Sequence, residues 1–399
     1  MKITIICDVL GKPNNGTTVA ALNLIKSLKD KGHDIKVVCN DEDKKNLDGF
    51  YIVPEKNLLF LNYIVHKNGV KFSKVDKKIL LEALKDADMV HMMLPFALSR
   101  FAVKYCRMHK IPTTAGFHAQ AENVTSHLFM KNVESANKMI YKFFYNKFYK
   151  YVDSIHYPTQ FIRDTFESVV GPTNGVVISN GVNSIYNKHK VNKPTELKDK
   201  FVILNIGRYC SEKNQNVLIK AIGQSKYKDK IHLILAGCGP DKRKLMRLVK
   251  KNKIECEFNF YSRDQLSDVI NYADLYCHPA EIEIESISCI EAISCGLVPI
   301  VANSRKCATK YFAIDEKSLF ENKNPNDLCT KIEYWIEHPE EKAQYSKKYL
   351  NNSFCFDQQL CMDKMEEFIL KNYYAQKNWK LNEKNNILHW WIIRWFFKY

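Results

Sequence analysis

No stretch of this 399-residue chain is apolar for the ~20 consecutive residues that a membrane span requires, which predicts a soluble or peripheral protein. Its thirteen cysteines include no CxxC pair, and Cys7, Cys39, Cys277 and Cys289 fall inside apolar runs. A disulfide framework and a zinc site are both disfavoured, and reduced core thiols in a cytoplasmic protein are expected. There is no convincing repeat, low-complexity tract or zinc-finger spacing. The opening apolar run is interrupted by Asp8 and lacks a small-residue cleavage site, so it predicts a strand and not a signal peptide. Acidic residues are in short supply, 44 against 60 Lys and Arg, for a formal charge of +16. That excess suits an anionic partner: nucleic acid, an acidic membrane surface or a phosphorylated substrate.

What is present is globular: 46% hydrophobic residues and 26% charged, over a length that fits two α/β domains. Short β-rich runs at 3–7, 35–39, 89–92, 113–117 and 154–157 alternate with longer helical patterns such as 19–31. That rhythm predicts parallel βαβ units. It pauses over the polar stretch 183–200 and resumes with runs at 201–206, 231–236, 256–261, 275–278 and 298–302. The expected division is a first Rossmann-like domain at 1–185, a second at 186–365, and a helical tail at 366–399 that crosses back to the first.

Two strand-to-helix loops offer anion sites. Gly11-Lys-Pro-Asn-Asn-Gly16-Thr17 places small residues and free N–H groups after the first strand, although Thr17 stands where a Walker A loop needs lysine and the run is not GxGxxG. Gly207-Arg208-Tyr-Cys-Ser-Glu212-Lys213 opens the second domain, and Arg208 with Lys213 can converge on a diphosphate; surface salt bridging is the alternative for each. The most specific run follows the strand at 275–278: Glu281-Ile-Glu283-Ile-Glu285-Ser286, continuing through Glu291 to Gly296 and Pro299.

Here the chain resembles the GT-B glycosyltransferases of group 1, or GT4, whose E-x7-E signature sits in this place. Eight residues beyond Glu281 lies Cys289 and beyond Glu285 lies Ile293, so Glu283 and Glu291 are the pair that fits. The resemblance implies a two-lobed GT-B fold of two Rossmann-like parallel-sheet domains facing a cleft. It puts Glu283 against the donor sugar and Glu291 on the ribose hydroxyls, which carboxylates bind through charge-assisted hydrogen bonds. Asn15-Gly16, Ala115-Gly-Phe-His118, Val177-Ile-Ser-Asn180-Gly181-Val182 and Leu235-Ala-Gly237-Cys-Gly239-Pro240 are similar to further landmarks along nearly the whole chain. The chain departs from the family in lacking a second glycine beside Gly16, in placing Glu283-Ile-Glu285-Ser286 where E-G-F-G is common, and in its displaced Pro299. The run 290–304, with Ala308-Thr309 and residues 312–320, resembles the branch that glycosylates diacylglycerol and related lipids.

The implied reaction is a retaining transfer of a hexose, from UDP-glucose or UDP-galactose, to a membrane lipid. Arg208, Lys213 and N–H groups near Gly16 and after Ser286 would stabilise the departing diphosphate, so no metal or other cofactor is expected. Asp86-Ala-Asp88 matches a metal-binding DxD in letters, yet lies at a helix-to-strand junction where a structural turn is expected. His118, a structural histidine by default, is drawn by the resemblance into contact with the donor sugar or its phosphate. His91 and His278 have no equally strong case.

Eight Lys and Arg against two acids in 101–150, and six against one in 371–399, sit among aromatics, which suits an anionic membrane surface. The tail 387–399 carries Trp390, Trp391, Trp395, Arg394 and Lys398; it is expected either to lie in the interface or to dock on the first domain. Around 138–151 the pattern predicts a helix that is half buried and uses both faces. The expected location is cytoplasmic and peripheral, on the inner face of the cell membrane. Transfer to surface polysaccharide is the alternative enzyme function. A non-catalytic basic protein is the third reading, and no nucleic-acid motif accompanies the charge.

Overall fold

The alternation of apolar runs with helices becomes two parallel sheets in the computed structural model, which describes residues 1–8, 10, 16–57, 72–126 and 132–396, with side chains to residue 378. The first sheet holds β1 (Lys2–Ile6), β2 (Asp34–Cys39), β3 (Phe50–Ile52), β4 (Met89–Met92), β5 (Thr113–Gly116), β6 (Ser154–Tyr157) and β7 (Gly175–Val177), in the order β3-β2-β1-β4-β5-β6-β7. The second holds β8 (Phe201–Ile206), β9 (Ile231–Ala236), β10 (Glu255–Asn259), β11 (Leu275–His278), β12 (Pro299–Asn303) and β13 (Leu319–Glu321), in the order β10-β9-β8-β11-β12-β13. The fold is α/β of the GT-B kind.

Helices cover both faces of each sheet, so central strands have no polar face. All six residues of β9 and all four of β11 are buried. Each buried Leu, Ile or Val there contributes about 1.5–3 kcal/mol of transfer free energy. The edge strands β3, β7 and β13 have three residues each and are only partly buried, so they carry no apolar run by which the sequence could mark them. Elsewhere the expected runs and the strands differ by a residue or two at their ends.

The chain passes between the sheets twice. Val182 donates to the Phe356 carbonyl at 2.7 Å and Gln358 donates to the Val182 carbonyl at 3.0 Å, zipping the outgoing and returning segments together. The helix Gln358–Phe396 then runs along the first sheet's core, burying Cys361, Met362, Met365, Phe368 and Ile369 there. Glu366 anchors it, receiving Lys31 Nζ at 2.6 Å and meeting His33 Nε2 at 2.8 Å. No helix among the described residues is long and apolar enough to cross a membrane.

Candidate functional site

In open parallel sheets ligands gather beyond the carboxyl ends of the strands, where the strand order reverses. The reversals here lie between β1 and β4 and between β8 and β11. The loop after β8 carries Arg208 and Lys213; the loop after β11 carries residues 281–286. The two are tied by the Glu281 amide donating to the Glu212 carbonyl at 2.8 Å.

Lys213 forms an ion pair with Glu283. Burial pulls the lysine below its ordinary value, while Cys210, Cys307 and Glu212 pull the other way. Arg208 reaches to 3.9 Å from Glu212, and its carbonyl accepts from Gln215 Nε2 at 3.0 Å. Arg208 also faces Lys213 closely enough for its charge to help lower the lysine. Two cations therefore share one short loop at the switch point, half-buried, which concentrates positive potential.

Ser286 precedes the helix Ile287–Ser294 with φ 67°, a left-handed conformation that a residue with a Cβ adopts at a cost. The turn brings Ser286 Oγ to 3.2 Å from His278 Nε2, the same nitrogen that meets Glu283.

Across the cleft, Gly16 opens the helix Gly16–Asp30, and a Cβ on it would lie 4.0 Å from Ile287 Cδ1. Residues 11–15 of the same loop lie outside the described residues. His118 follows β5, and its ring folds back over Gly116, where a Cβ would come within 2.5 Å of Nε2; only glycine allows that approach. His118 is buried, and Nε2 has no hydrogen-bond partner among the described residues. Burial holds the imidazole well below its ordinary value, and His156 and His91 add to the effect, so the ring is neutral. Two residues on, Gln120 Nε2 donates to the Lys306 carbonyl at 3.0 Å, the same oxygen that the Glu283 amide approaches at 3.3 Å. Lys213 and Glu283 thus meet in the second domain, with Ser286 joined to Glu283 through His278, while Gly16 faces Ile287 and the segment after His118 reaches the Lys306 carbonyl from the first.

The sequence profile of the glycosyl transferases group 1 matches residues 187–351, and that of glycosyltransferase family 4 matches 14–184. The chain belongs to the group 1 glycosyltransferases. Three solved structures are similar to it. Sucrose-phosphate synthase from Thermosynechococcus elongatus is 15% identical, with 94% of this chain and 100% of that one covered and a TM-score of 0.71. HepE from Anabaena, in complex with UDP, is 16% identical, with 93% and 100% covered and a TM-score of 0.74. The catalytic domain of cholesterol-α-glucosyltransferase from Helicobacter pylori is 45% identical over 38% of this chain and 96% of that one, but its TM-score of 0.38 is too low for a comparison of folds. Comparison with proteins of curated function gave no match.

The structure brings to Glu283 a histidine for which the sequence made no strong case. His278 ends β11, buried, with Nε2 3.2 Å from Glu283 Oε1 and Nδ1 3.0 Å from Tyr276 Oη. Burial, and the Lys213 charge after it, hold the ring well below its ordinary value. A neutral ring satisfies both contacts when Nε2–H donates to Glu283 and Nδ1 accepts from the tyrosine. The available signal was its place at the end of a strand at a switch point, three residues before the acidic motif.

Glu291 lies inside the helix Ile287–Ser294, half-buried, its carboxyl pushed up to about 7 by burial with Arg263 opposing. Asp88 sits at the far end of the first sheet, where Oδ2 accepts from the Lys2 amide at 2.8 Å. That is a structural junction, remote from the carboxyl ends of the strands that form the site.

Proposed function

We propose that this glycosyltransferase is a retaining, metal-independent enzyme that moves a hexose from UDP-glucose or UDP-galactose to a membrane lipid such as diacylglycerol. The observation that carries the reading is the meeting of Arg208, Lys213, Glu283 and Ser286 at the switch point of the second sheet. A departing nucleoside diphosphate gathers negative charge, and these cations, with the N–H groups opening the helix Ile287–Ser294, stand where that charge develops. Glu283, steadied by Lys213 and His278, takes hydroxyls of the donor sugar, and Glu291 takes those of the ribose. The neutral His118 offers its unpartnered nitrogen to a donor hydroxyl or phosphate oxygen. Retention follows when the acceptor hydroxyl enters on the face from which the diphosphate leaves. HepE, solved with UDP-glucose, supports this donor class.

The lipid acceptor is supported by the helix Glu134–Lys147. Tyr141 and Phe144 are buried on one side, while Met139 (66% exposed) and Phe143 (45%) project on the other, four residues apart, among exposed Lys138, Lys142 and Lys147. Apolar groups set between lysines suit an anionic interface, on the inner face of the cell membrane. The side chains of 387–399 lie outside the described residues, and their interfacial role is part of the proposal.

The test is hydrolysis of a panel of UDP-glucose, UDP-galactose and GDP-mannose, followed by transfer of the labelled sugar to a total lipid extract and to soluble oligosaccharide. Label in the lipid fraction is expected. Label confined to soluble product replaces the acceptor with a polysaccharide, and refusal of every donor removes the reading.

A further inference from the structure

The Glu285 side chain crosses from the second domain to the first. It is buried, and it accepts from Ser179 Oγ at 2.5 Å, from the Asn180 amide at 3.2 Å and from Asn180 Nδ2 at 2.5 Å. Ser179 and Asn180 belong to the strap that leaves the first sheet after β7. That strap is itself locked to the returning chain: a Cβ on Gly181 (φ 73°) would lie 2.8 Å from Gln358 Cα, and Asn183 Nδ2 donates to Gln358 Oε1 at 2.9 Å. One residue before Glu285, the Ile284 carbonyl accepts from Thr159 Oγ1 at 2.8 Å, again from the first domain.

The loop that carries Glu283 and Ser286 is therefore held from two sides. The Lys306–Ala308 segment of its own domain receives the Glu283 amide at 3.3 Å and donates the Ala308 amide to the Glu283 carbonyl at 2.9 Å. The strap holds Glu285. An aromatic ring at 285 would leave the Ser179 hydroxyl and the Asn180 groups unpaired inside the protein, which is costly. The Glu285 carboxyl satisfies them together; burial pushes it up to about 7, while the hydrogen bonds from Ser179 and Asn180 pull it down.

We propose that Glu285 is a positioning residue: it fastens the loop bearing Glu283 and Ser286 to the interdomain strap at Ser179 and Asn180, so that the angle between the two domains sets the orientation of the donor loop. The proposal rests on the assignment of Glu283 and Ser286 to the donor. A change of domain angle then moves Glu283 and the start of the helix Ile287–Ser294 with the first domain's edge, and donor geometry and cleft closure become one event.

The experiment uses full-length protein, native and with Glu285→Ala or Glu285→Gln, read in two ways. Amide hydrogen exchange without any ligand is followed in residues 178–181, 283–286 and the strands of the second sheet. UDP affinity is measured by calorimetry, together with kcat and KM for UDP-glucose turnover. Glu285→Ala is expected to speed exchange at least tenfold in both short segments while β8, β9 and β11 keep native protection. It is expected to lower kcat at least tenfold and raise KM, with UDP affinity within threefold. Glu285→Gln, whose carboxamide oxygen still accepts from Asn180, is expected to recover native exchange and kcat to within threefold. Native exchange at 283–286 in the alanine variant overturns the proposal. So does faster exchange across the whole second domain, which makes Glu285 a general packing residue, or a glutamine variant as impaired as alanine. If the native enzyme refuses UDP and UDP-glucose, the donor assignment fails by itself, and the exchange measurement still decides whether Glu285 ties the loop to the strap.

Discussion

Lys213 and Glu283, seventy residues apart in sequence, meet as an ion pair between the loops that follow β8 and β11, and His278 Nε2 touches the same carboxylate oxygen at 3.2 Å. On the donor assignment proposed above, an entering diphosphate would compete with Glu283 for the ammonium group.

Lys213→Ala and Arg208→Ala are each expected to lower turnover by about 100- to 1,000-fold, the range for loss of one preorganised group that stabilises transition-state charge. Circular dichroism and melting temperature should show a folded protein. Turnover that survives both changes would remove the two residues from the diphosphate.

Glu291→Ala and Glu283→Ala should separate binding from transfer. The first is expected to weaken UDP roughly 10- to 100-fold, consistent with the loss of charge-assisted bonds to the ribose at about 1.5–3 kcal/mol. The second should mainly reduce kcat. Calorimetry with UDP and steady-state kinetics check this, and equal effects of both variants on affinity and rate would contradict the division.

His278 and His118 should remain neutral across the working range, because burial holds both imidazoles well below their ordinary value. Their ring proton resonances are expected to stay unshifted between pH 6 and 8, and a titration midpoint in that interval would show a solvated or newly paired ring. His278→Ala should leave Lys213 as the remaining side-chain partner of Glu283 among the described residues and reduce kcat by roughly tenfold, a loss of about 1.4 kcal/mol in transition-state stabilisation.

Asp8, at the end of β1, is buried and its carboxyl is pushed up to about 7, chiefly by desolvation, with the Leu98 amide and Arg100 opposing. A carboxyl raised on folding binds more protons folded than unfolded between its ordinary value and about 7. Its contribution to stability is complete at low pH and is lost as pH rises through that window. Asp8→Asn carries no such penalty, so its unfolding free energy relative to the native chain should rise from pH 5 to about pH 7, by on the order of 1 kcal/mol per pH unit, and its melting temperature should rise with it. Parallel curves would place the native group near an ordinary carboxylate value.

EDTA is expected to leave turnover within twofold, with the diphosphate charge assigned to Arg208, Lys213 and the helix N-terminus. Asp88→Asn should affect only the junction with Lys2. Activity lost to EDTA and restored by Mn²⁺ or Mg²⁺ would overturn metal independence. On vesicles with anionic lipid, both Met139→Ser with Phe143→Ser and deletion of 387–399 should weaken sedimentation, and high salt should weaken it further. If neither change alters vesicle binding, the membrane surface lies elsewhere or the acceptor is soluble.

The parallel-sheet rhythm was legible because a strand buried on both faces is apolar at most positions, as at 201–206, 231–236 and 275–278, where Asn205, His232 and His278 are the buried polar exceptions. The E-x7-E register of the family that the chain resembles singled out Glu283 and Glu291, and the place of Arg208 and Lys213 after the first strand of a new run singled out that loop; of these, the fold brings Lys213 and Glu283 into contact. Three kinds of feature lay beyond that reach. The edge strands β3, β7 and β13 are too short and too exposed to leave a period, so only pairing with a neighbour defines them. His278 joins Glu283 through a turn five residues long, and its burial depends on Tyr276 and Ser286 closing around it. Glu285 looked like a departure from a motif, since what it binds lies 105 residues earlier in the chain. Local sequence specifies period, charge and loop chemistry, whereas the partner of a buried polar group is chosen by which distant segments the fold packs together.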